Sequence, residues 1–188
     1  MQDADADPAV GVVATTEKRA LRAELRRVRR EITSDPADRL ARSARIWARI
    51  VAIADLGAHR RRSATDRAQI APRILLFQGL ATEPATEGWF EWCRQHGVEA
   101  YAPEVDGPDL RVQPGDLDPQ ALDVVVVPGL AFTPDGRRLG QGGGHYDRFL
   151  PRLRPGCITI GACFAEQVVT DLPTEPHDRP VDHLATDG

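Results

Sequence analysis

A run of four valines followed by a glycine-rich loop most constrains how this chain can fold. Residues 124–127 have strand length and are apolar on both faces, which is typical of a buried strand in a parallel sheet. After a turn come the residues GQGGG at 140–144 and a segment from His145 to Leu150 that can begin a helix. A strand, a glycine loop and a helix start bring backbone N–H groups and a helix dipole toward one point. The pattern predicts an anion site, and we interpret the loop as a phosphate cradle.

The glycine spacing alone does not match a standard nucleotide motif. No Lys-Ser or Lys-Thr follows the glycines, and His145 stands where the last glycine of a G-x-G-x-x-G motif would fall. A surface turn is therefore an alternative as long as only the glycines are considered. The charged neighbours favour a nucleotide site, because Arg137 and Arg138 precede the loop and Asp147 follows it. Cations can neutralise phosphates, and a carboxylate can hold the accompanying magnesium.

The residues around this loop resemble a family signature. The segment VPGLAF at 127–132 is followed by G-x-R-L-G-x-G-x-G-x-Y-D from Gly136 to Asp147. Together they resemble the signature of the 5-formyltetrahydrofolate cyclo-ligases, also called methenyltetrahydrofolate synthetases, and the resemblance extends over residues 17–186. The family usually has two tyrosines before the aspartate. His145 replaces the first, and we expect tuning rather than loss of the site, since an imidazole is also flat and forms hydrogen bonds.

The resemblance implies an α/β fold, a three-layer sandwich with a mainly parallel sheet and helices on both faces. This layout is similar to that of ribose-5-phosphate isomerases and CoA transferases, with the site at the carboxyl ends of the strands. We expect a disordered acidic tail at residues 1–15 and a single cyclo-ligase-like domain at 16–188. A mobile arginine-rich loop is predicted at about 58–72. Its Arg60–Arg62 run could bind an anion, although a solvated loop is the favoured interpretation.

Length, charge and cysteine usage limit the class of protein. A chain of 188 residues is one domain by length, and its net charge of −4 gives no reason to expect a nucleic-acid partner. The three cysteines show no C-x-x-C spacing and indicate buried apolar side chains in a reducing compartment. No long apolar run is present, so we expect that the chain has no signal peptide and no membrane span. We expect a cytoplasmic monomer that acts on small molecules.

A helix is predicted from Thr16, with Thr15 or Thr16 as its N-cap. The apolar residues of this helix recur with helical spacing at Leu21, Leu25, Val28 and Ile32. Its basic residues share another face and are Lys18, Arg22, Arg26 and Arg29. Lys18 is the only lysine among 24 basic residues, which suggests a need for a compact ammonium there. The segment Lys18–Arg22 resembles the family's K-x-x-L-R, which implies contacts with the phosphates of ATP.

The remaining elements follow from apolar runs and helix caps. Ser34-Asp35-Pro36 is typical of a helix start, and the second helix is predicted to end near Gly57. Its predicted buried stripe is Leu40, Ala44, Trp47, Val51 and Ala54. Buried strands are predicted at 73–77, 98–103 and 157–163, and a helix at 86–96 that ends before Gly97.

The resemblance also implies substrate and metal ligands. Glu83 falls in a segment similar to the family's E-V-D-T, whose glutamate holds the pterin of the folate. A carboxylate suits this task because it can accept two parallel N–H bonds, although acids also favour helix N-termini. The segment from His177 to Asp182 resembles H-D-x-x-V-D, which makes Asp178 a second candidate magnesium ligand beside Asp147.

By this resemblance the activity is ATP- and magnesium-dependent cyclisation of 5-formyltetrahydrofolate to 5,10-methenyltetrahydrofolate. ADP and phosphate are released, and the formyl oxygen is phosphorylated on the way. The implied catalytic residues are Lys18, Arg138 and Tyr146. The implied ATP-binding residues are Lys18, Arg22, Arg138, Leu139, Gly140, Gln141, Gly142, Gly143, Gly144, His145 and Tyr146. The implied folate-binding residues are Gln78, Glu83 and Tyr146.

The segment 104–122 departs most from the family pattern. It is shorter than usual and lacks a recognisable aromatic residue to lie over the folate, and Arg111–Pro114 matches the family's G-I-x-E-P-like segment only faintly. Two alternatives therefore remain open. The chain could be a non-catalytic paralogue that binds nucleotide or formyl-folate, or an ATP-dependent ligase for a different substrate.

Overall fold

The structure is a computed structural model that describes residues 8–56 and 71–188, with side chains described from Glu17 onward. The strands are β1 (Arg73–Leu75), β2 (Glu99–Asp106), β3 (Asp109–Gln113), β4 (Val124–Pro128), β5 (Ala131–Phe132), β6 (Arg138–Leu139), β7 (Ile158–Ala162) and β8 (His183–Ala185). Six of them form one sheet in the order β3-β2-β1-β4-β7-β8, and β5 and β6 pair with each other. Every neighbouring pair in the large sheet is parallel except β2 and β3. The predicted α/β class and mainly parallel sheet are confirmed.

Within residues 8–56 and 71–188, four α-helices accompany this sheet. They are α1 (Pro8–Ile32), α2 (Pro36–Ile53), α3 (Glu87–His96) and α4 (His145–Phe149). Residues of α2 and α3 pack on one face of the central strands, against Ile74, Val124 and Ile160. The opposite faces of β1 and β4 pack against a second cluster that contains Phe149 of α4. The sheet is therefore covered on both sides, as predicted.

The valine strand lies at the centre of the molecule. Each of the four valines is at most 3% exposed, and β4 pairs in parallel with β1 on one side and β7 on the other. Alternate side chains of this strand enter the two opposite clusters of the core. A strand that is apolar on both faces is favoured only where both faces of its sheet are covered. The central position of β4 could therefore be predicted from its four valines.

The first helix begins earlier than predicted. It starts at Pro8, so neither Thr15 nor Thr16 caps it, and the second half of the predicted disordered tail is helical. Proline is favoured in the first turn of a helix because its fixed φ already suits the helix. Residues 1–7 and the arginine run Arg60–Arg62 lie outside the described residues.

The buried stripe predicted for α2 is wrong at Leu40 and Ala44 and confirmed at Trp47, and Val51 and Ala54 are partly buried against the core. The buried residues of this helix are Ser43, Ile46, Trp47 and Ile50. Leu40 is 58% exposed and Ala44 is also exposed. Ser43 lies on the buried face, where its hydroxyl accepts a hydrogen bond from the backbone N–H of Ala85. Its predicted start is confirmed, because the Asp35 side chain accepts hydrogen bonds from two N–H groups of the first turn.

The segment 104–122, for which no element was predicted from the sequence, contains most of a β-hairpin. β2 extends to Asp106 and pairs antiparallel with β3, and Gly107-Pro108 forms the two-residue loop. Gly107 has φ +58°, a left-handed value that glycine adopts readily. Leu110 and Val112 alternate with exposed residues and bury their side chains against the sheet. Residues 104–113 of this segment therefore form regular structure.

The three cysteines are free and buried, as predicted. Burial raises the pKa of the Cys157 thiol to about 11 and that of Cys163 to about 12, so both stay protonated at neutral pH. Among the described helices there is none with the length and apolar character needed to cross a membrane.

Candidate active site

A cavity of about 490 Å³ opens at the carboxyl ends of β1 and β4. All residues that the family resemblance assigned to ATP, folate or metal line this cavity. They are Lys18, Arg22, Gln78, Glu83, Arg138, Leu139, Gly140, Gln141, Gly142, Gly143, Gly144, His145, Tyr146, Asp147 and Asp178. They come from segments up to 160 positions apart, so the fold brings together what the sequence keeps separate.

The glycine loop needs glycine for reasons of backbone conformation and space. Gly142 and Gly144 have φ values of +112° and +65°, which other residues adopt at a cost. A Cβ at Gly140 would lie 2.9 Å from Nη1 of Arg138. The helix after the loop, α4, has only five residues. Any attraction for an anion would therefore depend on the loop's N–H groups and nearby cations, and the helix dipole expected from the sequence adds little.

The basic face of α1 points into the site and not into solvent. Arg22 donates from Nε to the carbonyl of Gly140 at 3.0 Å, and Arg26 donates to the carbonyl of Gln141 at 3.2 Å. Leu25 on the same helix packs into a small apolar cluster with Leu130 and other residues around the β5–β6 ribbon. The helix thereby binds the glycine loop through two of the loop's carbonyl oxygens.

The only lysine of the chain is held by two carboxylates. Lys18 is 4% exposed, and its Nζ lies 2.7 Å from Oε2 of Glu175 and 2.7 Å from Oδ2 of Asp178. The hydrogen bond from Lys18 lowers the pKa of Glu175. The two acids also fold on each other, because the N–H of Glu175 donates to Asp178 and the N–H of Asp178 donates to the Glu175 carbonyl. Lys18 is thus placed at the cavity wall by an acidic turn.

Arg138 and Asp147 form a second ion pair on the wall. Nη2 of Arg138 donates to Oδ1 of Asp147 at 2.7 Å, and the Arg138 side chain is 4% exposed. Its guanidinium lies 5.7 Å from the ring centre of Tyr146, within cation–π range. Nε of Arg138 and the hydroxyl of Tyr146 are buried and have no hydrogen-bond partner among residues 8–56 and 71–188. Burial raises the pKa of Tyr146, so its phenol stays neutral.

The two predicted metal ligands do not share one cluster in this structure. Asp178 lies with Glu175 and His177, whose ligand atoms are all within 4.8 Å of one another. Asp147 is instead paired with Arg138. Carboxylate oxygens are the ligands that Mg²⁺ prefers, so the acidic turn fits the predicted ion. A site that uses both aspartates would require each to exchange its present cationic partner for the metal.

Glu83 is a buried anion with three partners. It is 6% exposed; Oε1 accepts from Nη1 of Arg29 at 3.1 Å, and Oε2 accepts from the N–H of Leu80 at 3.0 Å. The amide of Gln141 lies 3.4 Å from Oε1. Arg29 is itself 3% exposed, and burial lowers its pKa despite the attraction of Glu83. None of these partners belongs to α3, which argues against the alternative that Glu83 is only a helix-terminal acid.

Sequence reasoning misplaced one residue and missed several. Arg137 does not line the cavity, because its guanidinium binds Asp135 and Asp171 at the surface. The cavity wall also includes Val105 and Leu110 of the hairpin, together with Glu175 and His177. The hairpin was missed although its two-residue loop, Gly107-Pro108, is a dipeptide typical of turns. Glu175 precedes the recognised H-D pair by only two positions, but nothing in the sequence shows that it faces Lys18.

The histidine that departs from the family pattern contacts the hairpin. Nδ1 of His145 lies 3.0 Å from the carbonyl oxygen of Pro108. Arg148 donates to the same oxygen from Nε at 2.9 Å and to the carbonyl of Gly143 at 2.8 Å. The hairpin loop and the glycine loop are therefore fastened to each other at the cavity's edge.

Comparison with known proteins agrees with the family resemblance of the sequence. The sequence model of the 5-formyltetrahydrofolate cyclo-ligase family matches residues 91–187, just over half of the chain. The chain is 26% identical to the mouse 5-formyltetrahydrofolate cyclo-ligase over 208 residues, covering 92% of this chain and 95% of the mouse protein. It is 40% identical to the Saccharomyces cerevisiae enzyme of that name over 81 residues, which cover 40% of this chain and 36% of the yeast protein.

A solved structure shows the same fold. It is a 5,10-methenyltetrahydrofolate synthetase from Mycoplasma pneumoniae, with a TM-score of 0.74 and 23% sequence identity. The match covers 92% of this chain and 99% of that one. The family sequence model, the full-length similarity to the mouse enzyme and the shared fold lead to one conclusion. This chain belongs to the 5-formyltetrahydrofolate cyclo-ligase family.

Proposed function

We propose that the protein catalyses the ATP-dependent cyclisation of 5-formyltetrahydrofolate to 5,10-methenyltetrahydrofolate, with release of ADP and phosphate. The observation that carries the proposal is a single cavity that combines two kinds of wall. One wall is a glycine loop flanked by Lys18, Arg22 and Arg138, and the other holds the buried carboxylate of Glu83. The first suits the phosphates of a nucleotide, and the second suits the N–H-rich edge of a pterin.

The chemistry requires the two substrates to meet. The oxygen of a formamide is a poor leaving group, so it must first be activated. In the proposed reaction the γ-phosphoryl group passes from ATP to the formyl oxygen, and ADP leaves. The side-chain nitrogen of the folate then attacks the activated carbon, the C–O bond breaks and phosphate departs. Such a transfer asks the protein mainly for positioning and for neutralisation of charge.

The residues of the wall can be assigned on this basis. Lys18, Arg22 and Arg138 would neutralise the phosphates, and the N–H groups of the glycine loop would orient them. For Lys18 this means exchanging its carboxylate partners for phosphate oxygens. Tyr146 would lie between the two ligands, since its ring lines the cavity beside Arg138. Removing one such charge contact typically costs about 3 kcal/mol of transition-state stabilisation.

A magnesium ion would be held by Asp178 and its neighbour Glu175, with Asp147 as a further ligand after Arg138 has turned to phosphate. When bound, the ion would neutralise phosphate charge that the cations leave uncompensated. The described residues supply the oxygen donors for this role.

The direct test is growth of the near-ultraviolet absorbance band of methenyltetrahydrofolate. Purified protein is mixed with ATP, Mg²⁺ and 5-formyltetrahydrofolate, and parallel samples omit ATP or Mg²⁺. The proposal predicts growth only in the complete mixture. If both ligands bind calorimetrically and the band stays absent, the protein is a binding paralogue. If ATP is consumed with another formamide or carboxylate and folate does not compete, it is a ligase of different specificity.

A further inference from the structure

One side chain connects the two walls of the cavity. Gln141 belongs to the glycine loop through its backbone, and its side-chain Nε2 lies 3.4 Å from Oε1 of Glu83, which also lines the cavity. Its own carbonyl groups are also used, because Arg26 donates to the side-chain Oε1 at 3.3 Å and to the backbone oxygen at 3.2 Å. The Gln141 side chain therefore cannot turn away from Glu83 without breaking a contact with α1.

These contacts form a continuous chain of hydrogen bonds that begins and ends on α1. Arg26 holds Gln141, Gln141 contacts Glu83, and Glu83 is bound by Arg29, which lies one helical turn after Arg26. Arg29 and Glu83 are both nearly fully buried, and Arg29 donates from α1 to one oxygen of the carboxylate. Gln141 is exposed and the bond to Glu83 is long, which makes this the adjustable link. A change in the glycine loop would reach Glu83 through this link.

We propose that Gln141 is a positioning residue that makes nucleotide binding and folate binding cooperative. The inference rests on the proposed function, since it assigns the two ligands to the two walls. An anion bound by the loop's N–H groups orders the backbone at Gln141 and hence the amide that faces Glu83. An ordered amide fixes the carboxylate in the orientation that a pterin requires. By linkage, folate bound at Glu83 must then strengthen nucleotide binding by the same factor.

The size of the effect follows from the contact. A single hydrogen bond to a charged group, partly open to solvent, corresponds to about a three- to tenfold change in a binding constant. The wild-type protein should therefore bind 5-formyltetrahydrofolate about three- to tenfold more tightly when the glycine loop is occupied.

The test is a binding cycle followed by calorimetry. The dissociation constant of 5-formyltetrahydrofolate is measured with and without saturating magnesium complex of a non-hydrolysable ATP analogue, and the ratio of the two constants is the coupling factor. Gln141→Met keeps the length of the side chain and removes its donor and acceptor. Its coupling factor is expected to fall to about one. Because the factor is a ratio, a weaker affinity for either ligand alone does not mimic this result.

A matched control lies on α3. Gln95 donates from Nε2 to Glu91 at 2.7 Å, an amide–carboxylate contact of the same kind at an exposed position that does not line the cavity. Gln95→Met should keep the wild-type factor. A Gln141→Met protein with the wild-type factor, or a wild-type factor of one, would overturn the inference while the proposed function stands. A wild-type protein that binds neither ligand would overturn both.

Discussion

At the scale of the residue, the candidate site contains one lysine in nearly closed surroundings. Lys18 has an ammonium at hydrogen-bonding distance from two carboxylates in a space that is almost closed to solvent. An ammonium is a compact charge, whereas a guanidinium is planar and needs room on both sides of its fork. In a chain whose other 23 basic residues are arginine, this is a position where the geometry explains why lysine is present.

Lys18→Arg should therefore impair turnover although it keeps the charge. We expect kcat/KM for methenyltetrahydrofolate formation to fall about ten- to a hundredfold, because the larger guanidinium does not fit the nearly closed space that the ammonium occupies. Arg19→Lys is the matched control, since Arg19 is the next residue on the same helix and is exposed. Equal kinetics for Lys18→Arg and the control would show that the lysine is not required.

At the scale of the element, α1 is attached to the site mainly through its charged face. Arg29 inserts a guanidinium beside Glu83, and the side chains of the pair are 4% and 7% exposed. Removing one partner of a buried ion pair leaves the other as an uncompensated charge. The helix should therefore contribute to stability through this contact far more than through its exposed ion pairs.

Arg29→Ala is expected to lower the free energy of unfolding by about 3–5 kcal/mol, measured by urea denaturation. Arg27→Ala removes the exposed pair with Glu31 on the same helix, whose side chains are 59% and 63% exposed. That control should cost less than about 1 kcal/mol. Similar losses in the two variants would contradict the description of Arg29 as a buried structural charge.

The hairpin of β2 and β3 should act on substrate affinity. Val105 is 59% exposed and lines the cavity, so it offers an apolar surface that costs little to change. Val105→Asp should raise KM for 5-formyltetrahydrofolate several-fold and leave KM for ATP nearly unchanged, because an apolar wall favours a flat organic ring. Leu40→Asp, which is equally exposed on α2 and does not line the cavity, should leave both constants unchanged.

Elements differed in how far they could be predicted, and the reasons are physical. The strand of valines and the glycine loop were predictable because each is specified by its own residues. The buried face of α2 was not, because Ser43 is drawn inward by Ala85, a partner 42 positions away. What the basic face of α1 contacts could not be predicted either, because its partners Gly140 and Gln141 lie more than 110 positions away. Family resemblance supplied the candidate site residues, but only the fold shows that Lys18 contacts Glu175.

At the scale of the whole molecule, ion pairs join α2 to the C-terminal part of the chain. Arg42 of α2 binds both Glu166 and Asp187, and the Asp187 side chain also accepts the N–H of Ala165. The hydrogen bond from Arg42 lowers the pKa of Glu166. Burial alone would raise the pKa of Asp187, but the bonds from Arg42 and from Ala165 outweigh it and lower that pKa. The C-terminal strand β8 is thereby tied to the second helix.

These shifts fix the sign of the pH dependence. A carboxyl group whose pKa is lower in the folded state stabilises the fold above its unfolded pKa, about 4, and stops doing so as pH falls through the folded value. We therefore expect the urea midpoint to be constant near neutral pH and to fall below about pH 4, where Glu166, Glu175 and Asp187 take up protons. In the Arg42→Met variant, the urea midpoint should fall less steeply as the pH decreases below about 4. A midpoint that rises on acidification would contradict the assignment.

In the proposed reaction, one cavity places the terminal phosphate of ATP against the formyl oxygen of the folate. The most direct measurement uses 5-formyltetrahydrofolate labelled with oxygen-18 in the formyl group and mass analysis of the phosphate released. Direct phosphorylation of that oxygen predicts one labelled atom in each phosphate, because the C–O bond breaks when the ring closes. Methenyltetrahydrofolate formed together with unlabelled phosphate would contradict the account.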